Sequence, residues 1–493
     1  MTLDQVDDIE TLRGAAKLLE AEVQKLLKLN AQLTRRLNKL EGKDDPEQLS
    51  LQIAELEQQL SNLRHKMFGD SSEKRARSKL SSENTKQSGH GPRAQPALPE
   101  QEQVHLLDTA DQICRACGNP LNPWNGQFEE SEEIDVVERK FVLKKHRRQK
   151  YRCNCGQCIE TAPGPTKLFE GARYSPDFAL HVAVGKYADH LPLERQVRIM
   201  KREGLSVDSQ TLWDQLNALG RVLQPVHDRL QHYVLSHDVI GADETHWRLM
   251  AAKGKRNGGD AKRWQAWAIT APDAVCYRIQ DSRSAEAAAR LLADYDGTVL
   301  VDGYSAYSSL KKRGGKFRLA HCWAHVRRKF LELEGSYPRE SEAILGLIGQ
   351  LYEVEKKHKD RPPDQLLEAR RAHSKPIIQQ IHSWALSTEA LRNSPLRKAV
   401  EYMGNMWEGL KVFLDDPHVE LDNNRTERSL RGVVLGRKNH FGSRSRRGTE
   451  VAALFYSLIE SAKLAGIGPQ TYLKAATQAA LRGAQIPLPH ELV

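Results

Sequence analysis

Between residues 237 and 322 the hydrophobic period settles to two, and five strand-like runs follow in an order that constrains the fold more than any other part of the chain. HDVIGADETHWRLM (237–250), RWQAWAIT (263–270) and AVCYRIQDS (274–282) predict three sequential strands. SAEAAARLLADY (284–295) predicts a helix, GTVLVDGYSAY (297–307) a fourth strand, and FRLAHC (317–322) a fifth after a short helix. This is the order of an RNase H-like sheet, in which the first and fourth strands are neighbours. Asp243 is expected to end the first strand and Asp302 the fourth, so their carboxylates should converge at one rim.

A third acid should come from a later helix. After WAHVRRKFLELE the segment from about 331 to 415 is helical in pattern, with Ile344, Ile348, Leu351 and Tyr352 on one face, and reads as an insertion. LDNNRTERSLRGVVLGRKNHFGSRSRRG (421–448) then puts Glu427 on a helix whose start Asp422, Asn423 or Asn424 can cap. Two Asp and one Glu at one rim suit a pair of Mg²⁺ (or Mn²⁺) ions, which take oxygen ligands and clamp both oxygens of an in-line phosphoryl displacement. Any one of these acids, taken alone, is better explained by a cap or a salt bridge. The cations around Glu427 (Arg425, Arg428, Arg431, Arg437, Lys438, Arg444, Arg446, Arg447) favour the phosphate reading. Asp422 is the rival for the third place. His321, Cys322 and His325 are better explained by packing under the sheet than by a metal, with His325 within reach of the rim.

Upstream, Leu12, Leu19, Leu26, Leu33 and Leu40 recur every seven residues, with Ala16, Val23, Asn30 and Leu37 four after each of the first four. This a/d seam predicts a coiled coil, and Asn30 in the core points to a parallel dimer, although a hairpin folding around Gly42 to Pro46 stays open. A second run follows through Leu49, Ile53, Leu56, Leu60, Leu63 and Met67. Residues 69–104 are Ser-, Lys-, Gly- and Pro-rich, the composition of a linker. CRAC (114–117) and CNCGQC (153–158) supply two thiolate pairs for one tetrahedral structural Zn²⁺. Cys114, Cys117, Cys155 and Cys158 have the matching spacing, leaving Cys153 as the spare, and the alternative is reactive or simply buried thiols. Between the halves, RKFVLKKHRRQKYR (139–152) packs eight cations into fourteen residues. Arg139, Lys140, Lys144, Lys145, Arg147 and Arg148 are candidates for phosphate contact, against a solvated strand face as the plain alternative. Three short helices over 175–220 fit a helix-turn-helix and a packing adapter equally; Gly204 separates the second from the third, and Ser206 to Gln210 can cap the third.

Lys plus Arg at 74 against Asp plus Glu at 64 gives a net charge of +10, which favours a polyanionic partner. No run approaches a membrane span and the first residues are acidic, so the expectation is a cytoplasmic protein, nucleoid-associated, with no membrane partner.

Several stretches, in order, resemble the transposases of bacterial insertion-sequence family 66. They are LRHKMFGDSSEK (63–74), KYADHLPLERQVRIMKREG (186–204), ADETHWR (242–248), VDGYSAY (301–307), HCWAHVRRKF (321–330), NNRTERSLR (423–431), GRKNHFGS (436–443) and SLIESAKLAGIGPQTYL (457–473). The resemblance implies a DDE transposase with Asp243, Asp302 and Glu427 as its acids, a leucine-zipper region, a zinc-binding domain, terminal inverted repeats as DNA substrate, and element-encoded accessory proteins. The triple of cysteines at 153, 155 and 158 departs from a plain pair. The expected class is therefore a multidomain α+β chain with an RNase H-like catalytic core. Its parts are a coiled coil (1–68), a linker (69–104), a zinc-binding domain (105–165), a helical, DNA-binding candidate (166–230), the catalytic domain with its insertion (231–448) and a C-terminal helical region (449–493). The function expected is metal-dependent strand cleavage and transfer on element ends and target DNA by a homodimer or higher oligomer held through the N-terminal coiled coil. The alternatives are an inactive dimeric DNA-binding regulator derived from a transposase, and an RNase H-type nuclease.

Overall fold

The computed structural model describes residues 119, 141–152, 159–250 and 263–492. The heptads, the linker, all five clustered cysteines, Arg139 and Lys140 lie outside the described residues.

Residues Lys150–Arg152 (β1) and Ile159–Thr161 (β2) form a small antiparallel ladder. Four helices follow: α1 (Pro176–Tyr187), α2 (Leu193–Arg202), α3 (Ser209–Val222) and α4 (Gln224–Leu235). Ser175 caps α1 by accepting from the Phe178 N–H, with Pro176 fixing the first turn, and Asp208 caps α3 through the Thr211 N–H. Gly204, at φ +84°, turns the chain between α2 and α3. These helices share one apolar core with the sheet that follows: Leu212, Leu216 and Leu219 of α3 are fully buried in it, together with Ile240, Trp247 and Phe455.

The sheet is five-stranded, in the order β5-β4-β3-β6-β7. Val239–Arg248 (β3), Arg263–Thr270 (β4) and Val275–Gln280 (β5) run antiparallel in turn. After α5 (Ala285–Leu292), Thr298–Val301 (β6) returns to the other side of β3 in parallel; after α6 (Ser305–Lys312), Arg318–His321 (β7) adds parallel to β6. One expectation needs correcting: Asp243 lies inside its strand rather than at its end. The parallel pairing of β3 with β6 stops at Gly241, whereas the antiparallel pairing with β4 continues to Arg248, so β3 outlives its parallel neighbour.

Beyond β7, α7 (Trp323–Leu331) leads into the helical insertion: α8 (Pro338–His358), α9 (Pro363–Ala369), a π-turn (Arg370–Ser374), α10 (Lys375–Ser387), α11 (Pro395–Asn405) and α12 (Trp407–Leu410). Its own core gathers Trp323, Phe330, Ile344, Ile348, Leu351 and Ile381, all fully buried, so the apolar face foreseen on α8 is the buried one. Arg370, 1 % exposed, donates to both oxygens of Glu355 and to the Phe413 and Asp416 carbonyls, which ties the π-turn to the chain leaving the insertion.

The chain returns through α13 (Asn424–His440), α14 (Arg446–Leu464) and α15 (Pro469–Leu481). VAALFYSLI of α14 is buried throughout, marking a central helix rather than a surface one. Ser457 Oγ accepts from the Tyr277 N–H at 2.8 Å and Ser461 Oγ from the Val275 N–H at 2.9 Å. Two serines four apart on a helix thus satisfy alternate outward amides of the edge strand β5, closing that edge without another strand. The sheet's cover therefore extends past residue 448, the limit expected for the catalytic domain. No single helix among the described residues is long and apolar enough to cross a membrane.

Candidate active site

Alternation along β3 assigns its side chains to two faces. Ile240, Ala242 and Glu244 are buried on one; Gly241, Asp243 and Thr245 line the other, against which α13 docks. Docking is close. A Cβ at Gly241 would stand 2.1 Å from Thr426 Oγ1 of α13, so only glycine permits the approach. Thr426 Oγ1 also lies 2.7 Å from Thr270 Oγ1, and Asn423 Nδ2 donates to the Ala242 carbonyl at 2.9 Å. These bonds fix the first turn of α13, and with it Glu427, over β3.

Because β3 and β6 pair in parallel with Gly241 opposite Leu300, Asp243 and Asp302 each stand two residues beyond the same rung. The loop after β6 turns through Gly303 at φ +95°, where Met406 of the insertion sits so close that a Cβ would meet its sulfur at 2.3 Å. Asp302 Oδ1 accepts from the Tyr304 N–H at 2.9 Å, and the Asp302 carbonyl accepts from the Tyr402 hydroxyl at 3.0 Å. The insertion thus braces the loop that carries Asp302.

Electrostatics join the three acids. Burial, then the negative charges of Asp302, Glu244 and Glu427, push the Asp243 carboxyl up to about 8. Asp422, the rival, faces elsewhere: its carboxylate accepts from the Asn424 N–H, and after burial its charge and hydrogen bond help push up the Tyr352 phenol of the insertion. His325 reaches Glu427, with Nε2 3.5 Å from Oε1. His321 does not join them; its Nδ1 lies 3.3 Å from the Met406 carbonyl, burial holds its pKa down, and its ring fills the space against Gly409. Cys322 is buried and accepts from the Asn423 N–H.

Glu244 escaped the sequence reading. It is 8 % exposed, pushed up by burial and held by Arg283, whose Nε and Nη2 donate to Oε1 at 2.8 and 2.5 Å. The Arg283 guanidinium, itself half exposed, in turn lies 3.8 Å over the Tyr304 ring, so this pair links Glu244 to the Asp302 loop. The signal available was the alternation in ADETHW, which puts Glu244 on the inner face, where a charge needs a partner.

An oxygen-only donor set suits Mg²⁺ or Mn²⁺. Two observations fit a divalent cation among these acids: the burial and like-charge crowding that raise Asp243, and Glu427 Oε1, buried without a hydrogen bond. Among the described residues, however, no group of three or more His, Cys, Asp or Glu side chains is gathered closely enough to hold an ion as it stands.

Of the cations proposed for phosphate, Arg428, Arg431 and Lys438 are exposed on α13, while Arg437 turns inward to Thr245 Oγ1 and the His246 carbonyl. Lys144, Lys145, Arg147 and Arg148 are exposed, and Arg148 donates to the Ala162 carbonyl.

Three relatives from Sinorhizobium fredii (strain NBRC 101917 / NGR234) match most of the chain. Uncharacterized protein y4jD is 33% identical over 385 residues, 75% of this chain and 74% of its own length. Uncharacterized proteins y4qI and y4hP are 32% and 28% identical, covering 70% and 73% of this chain and 66% and 69% of their own lengths. The zinc-finger binding domain of transposase IS66 matches residues 111–156, the segment that holds four of the five clustered cysteines. The model of the Transposase IS66 family matches residues 171–451, from just before α1 into α14 and through all three acids, and the chain belongs to that family.

Proposed function

We propose that the chain is a DDE transposase whose core is RNase H-like and whose acids are Asp243, Asp302 and Glu427, cutting DNA at element ends and transferring the 3′-hydroxyls to target DNA. The observation that carries this reading is that the buried Asp243 of β3 lies close enough to Asp302, just past β6, and to Glu427, in the first turn of α13, to feel the charge of both. The strand order, with β3 central and antiparallel on one side and parallel on the other, supports the RNase H-like assignment. The three acids would hold Mg²⁺ or Mn²⁺, which supplies charge stabilisation to the attacking and leaving oxygens of a phosphodiester. His325 holds Glu427 in place, Tyr402 and Tyr304 hold the Asp302 loop, and Arg428, Arg431 and Lys438 bind backbone phosphates along α13.

Zinc on Cys114, Cys117, Cys155 and Cys158, phosphate contact by Arg139, Lys140, Lys144, Lys145, Arg147 and Arg148, and dimerisation through residues 1–68 complete the proposal. They rest on sequence spacing and, for zinc, on the matching zinc-finger family. The resemblance to the family, not spacing, motivates element-encoded accessory proteins, and a nucleoid-associated place in the cytoplasm belongs to the same proposal.

Incubating the full chain with end-sequence DNA and Mg²⁺ or Mn²⁺ tests the chemistry. Asp243→Asn, Asp302→Asn and Glu427→Gln should each abolish cleavage and strand transfer while DNA binding survives. Near-normal cleavage by Glu427→Gln, with loss in Asp422→Asn, would move the third acid to Asp422.

A further inference from the structure

The exposed face of α13 runs from the acids toward Phe441. Arg428, Arg431, Leu435 and Lys438 are exposed at successive turns, and none of the three cations makes an ion pair or hydrogen bond among the described residues. The stripe ends at Phe441, which is 63 % exposed. Its backbone is in the left-handed region at φ 60°, where the N–H closes α13 on the Arg437 carbonyl. Glycine ordinarily fills that position, because a side chain there is strained.

Everything around Phe441 is anchored. His440 is buried, its Nε2 3.1 Å from the Tyr456 hydroxyl. Gly442 leaves no room for a Cβ, which would meet the Arg248 carbonyl oxygen at 2.1 Å. Ser443 is buried, donates its N–H to the Arg248 carbonyl and accepts from both the Trp247 indole and the Met250 N–H. A rigid turn tied to the end of β3 therefore presents one aromatic ring to solvent, where hydrophobicity alone would place it inside.

We propose that Phe441 is a base-stacking site: its ring receives the face of an unpaired nucleobase of the DNA whose phosphates lie along Arg428, Arg431 and Lys438. The inference rests on the DNA-transposing reading and adds a subsite to it. Fourteen residues of helix at a rise of ~1.5 Å put Phe441 roughly 21 Å from Glu427, about six base steps along a strand. An aromatic face stacks any base, so this contact recognises unpairing rather than sequence. The cations argue for nucleic acid over protein, since Lys438 interrupts the two exposed apolar residues and leaves no continuous apolar face.

The test uses the full chain, with fluorescence anisotropy on a blunt duplex and on the same duplex carrying a short 3′ tail of unpaired thymines. Wild type should prefer the tailed duplex by about ten-fold. Phe441→Gly, which suits the left-handed backbone and so keeps the fold, should lose that preference while retaining blunt-duplex affinity and its salt dependence. Phe441→Trp should restore it. Substituting Arg428, Arg431 and Lys438 together by Ala should weaken both duplexes and flatten the salt dependence. A Phe441→Gly protein that keeps the tail preference, that loses both duplexes equally, or that changes oligomeric state in sedimentation overturns the proposal. If wild type binds neither duplex at low salt, the DNA reading itself fails, a result distinct from an unaltered Phe441→Gly.

Discussion

Asp243→Asn should make the protein more stable, and the gain should depend on pH. The folded carboxyl titrates at about 8 against an ordinary 3.8, so between those values the folded state holds a proton that the unfolded chain has released. The sign follows: the favourable contribution of the neutral acid is complete below about pH 4 and is lost as pH rises through 8. At ~1.4 kcal/mol per unit, the roughly three units between 3.8 and 7 set an upper bound of about 4 kcal/mol of destabilisation at pH 7. Asparagine keeps the shape and removes the charge, and its own burial takes part of that away, leaving a gain of about 1–3 kcal/mol. For a core of this size that is a rise of about 2–5 °C in Tm. The measurement is thermal unfolding in chelator at pH 4.5, 7 and 8.5, repeated with Mg²⁺. The variant should melt above wild type at pH 8.5, by less at pH 7, and level with it at pH 4.5. Mg²⁺ should lift wild type and leave the variant unmoved. A variant melting no higher than wild type at pH 8.5 would refute the argument that burial and neighbouring like charges disfavour the Asp243 carboxylate.

Gly241→Ala should cost about 1–3 kcal/mol, because its Cβ meets Thr426 Oγ1 at 2.1 Å and α13 must retreat; cleavage should fall with it, and a variant with wild-type Tm and activity would contradict the close docking described here. Arg370→Ala leaves the partly buried Glu355 without its partner and two carbonyls bereft, an expected loss of about 3 kcal/mol. Hydrogen exchange should then accelerate in α9, α10 and the π-turn while the sheet stays protected, and uniform acceleration would show that the insertion is no separate unit. Elemental analysis of protein purified without chelator should find one zinc per chain, dropping sharply in Cys114→Ser; a chain free of zinc would remove the cysteine assignment.

The five strands were legible because their period is two and their runs are short, and Asp302 was legible because it ends one of them. Asp243 was placed on the right strand and at the wrong point along it. Strand length depends on both neighbours, and the β4 pairing that carries β3 to Arg248 is a tertiary event. The choice between Glu427 and Asp422 could not be made from spacing, since both sit at the start of one helix; it turns on which face of α13 meets β3. The pair of Glu244 with Arg283, 39 residues apart, and the bond from Tyr402 to the Asp302 carbonyl, 100 residues apart, leave no local pattern to read. The insertion was recognised by its helical period, but its hold on the Asp302 loop became visible only in three dimensions.

The serines that close β5 also set an order of events during synthesis. Ser457 lies 180 residues after Tyr277, and Asn423 lies 181 after Ala242, so both the sheet edge and the seat of Glu427 wait on sequence made much later. At about 5–20 residues per second, the strands leave the ribosome roughly 10–40 s before the helices that complete them. During that interval the nascent chain carries an open edge at Val275 and Tyr277 and two acids without their third. Synthesis thus acts as a timer: the seat of Glu427 forms only after the insertion has left the ribosome, and until α14 emerges the exposed edge is the part of the chain most in need of a chaperone.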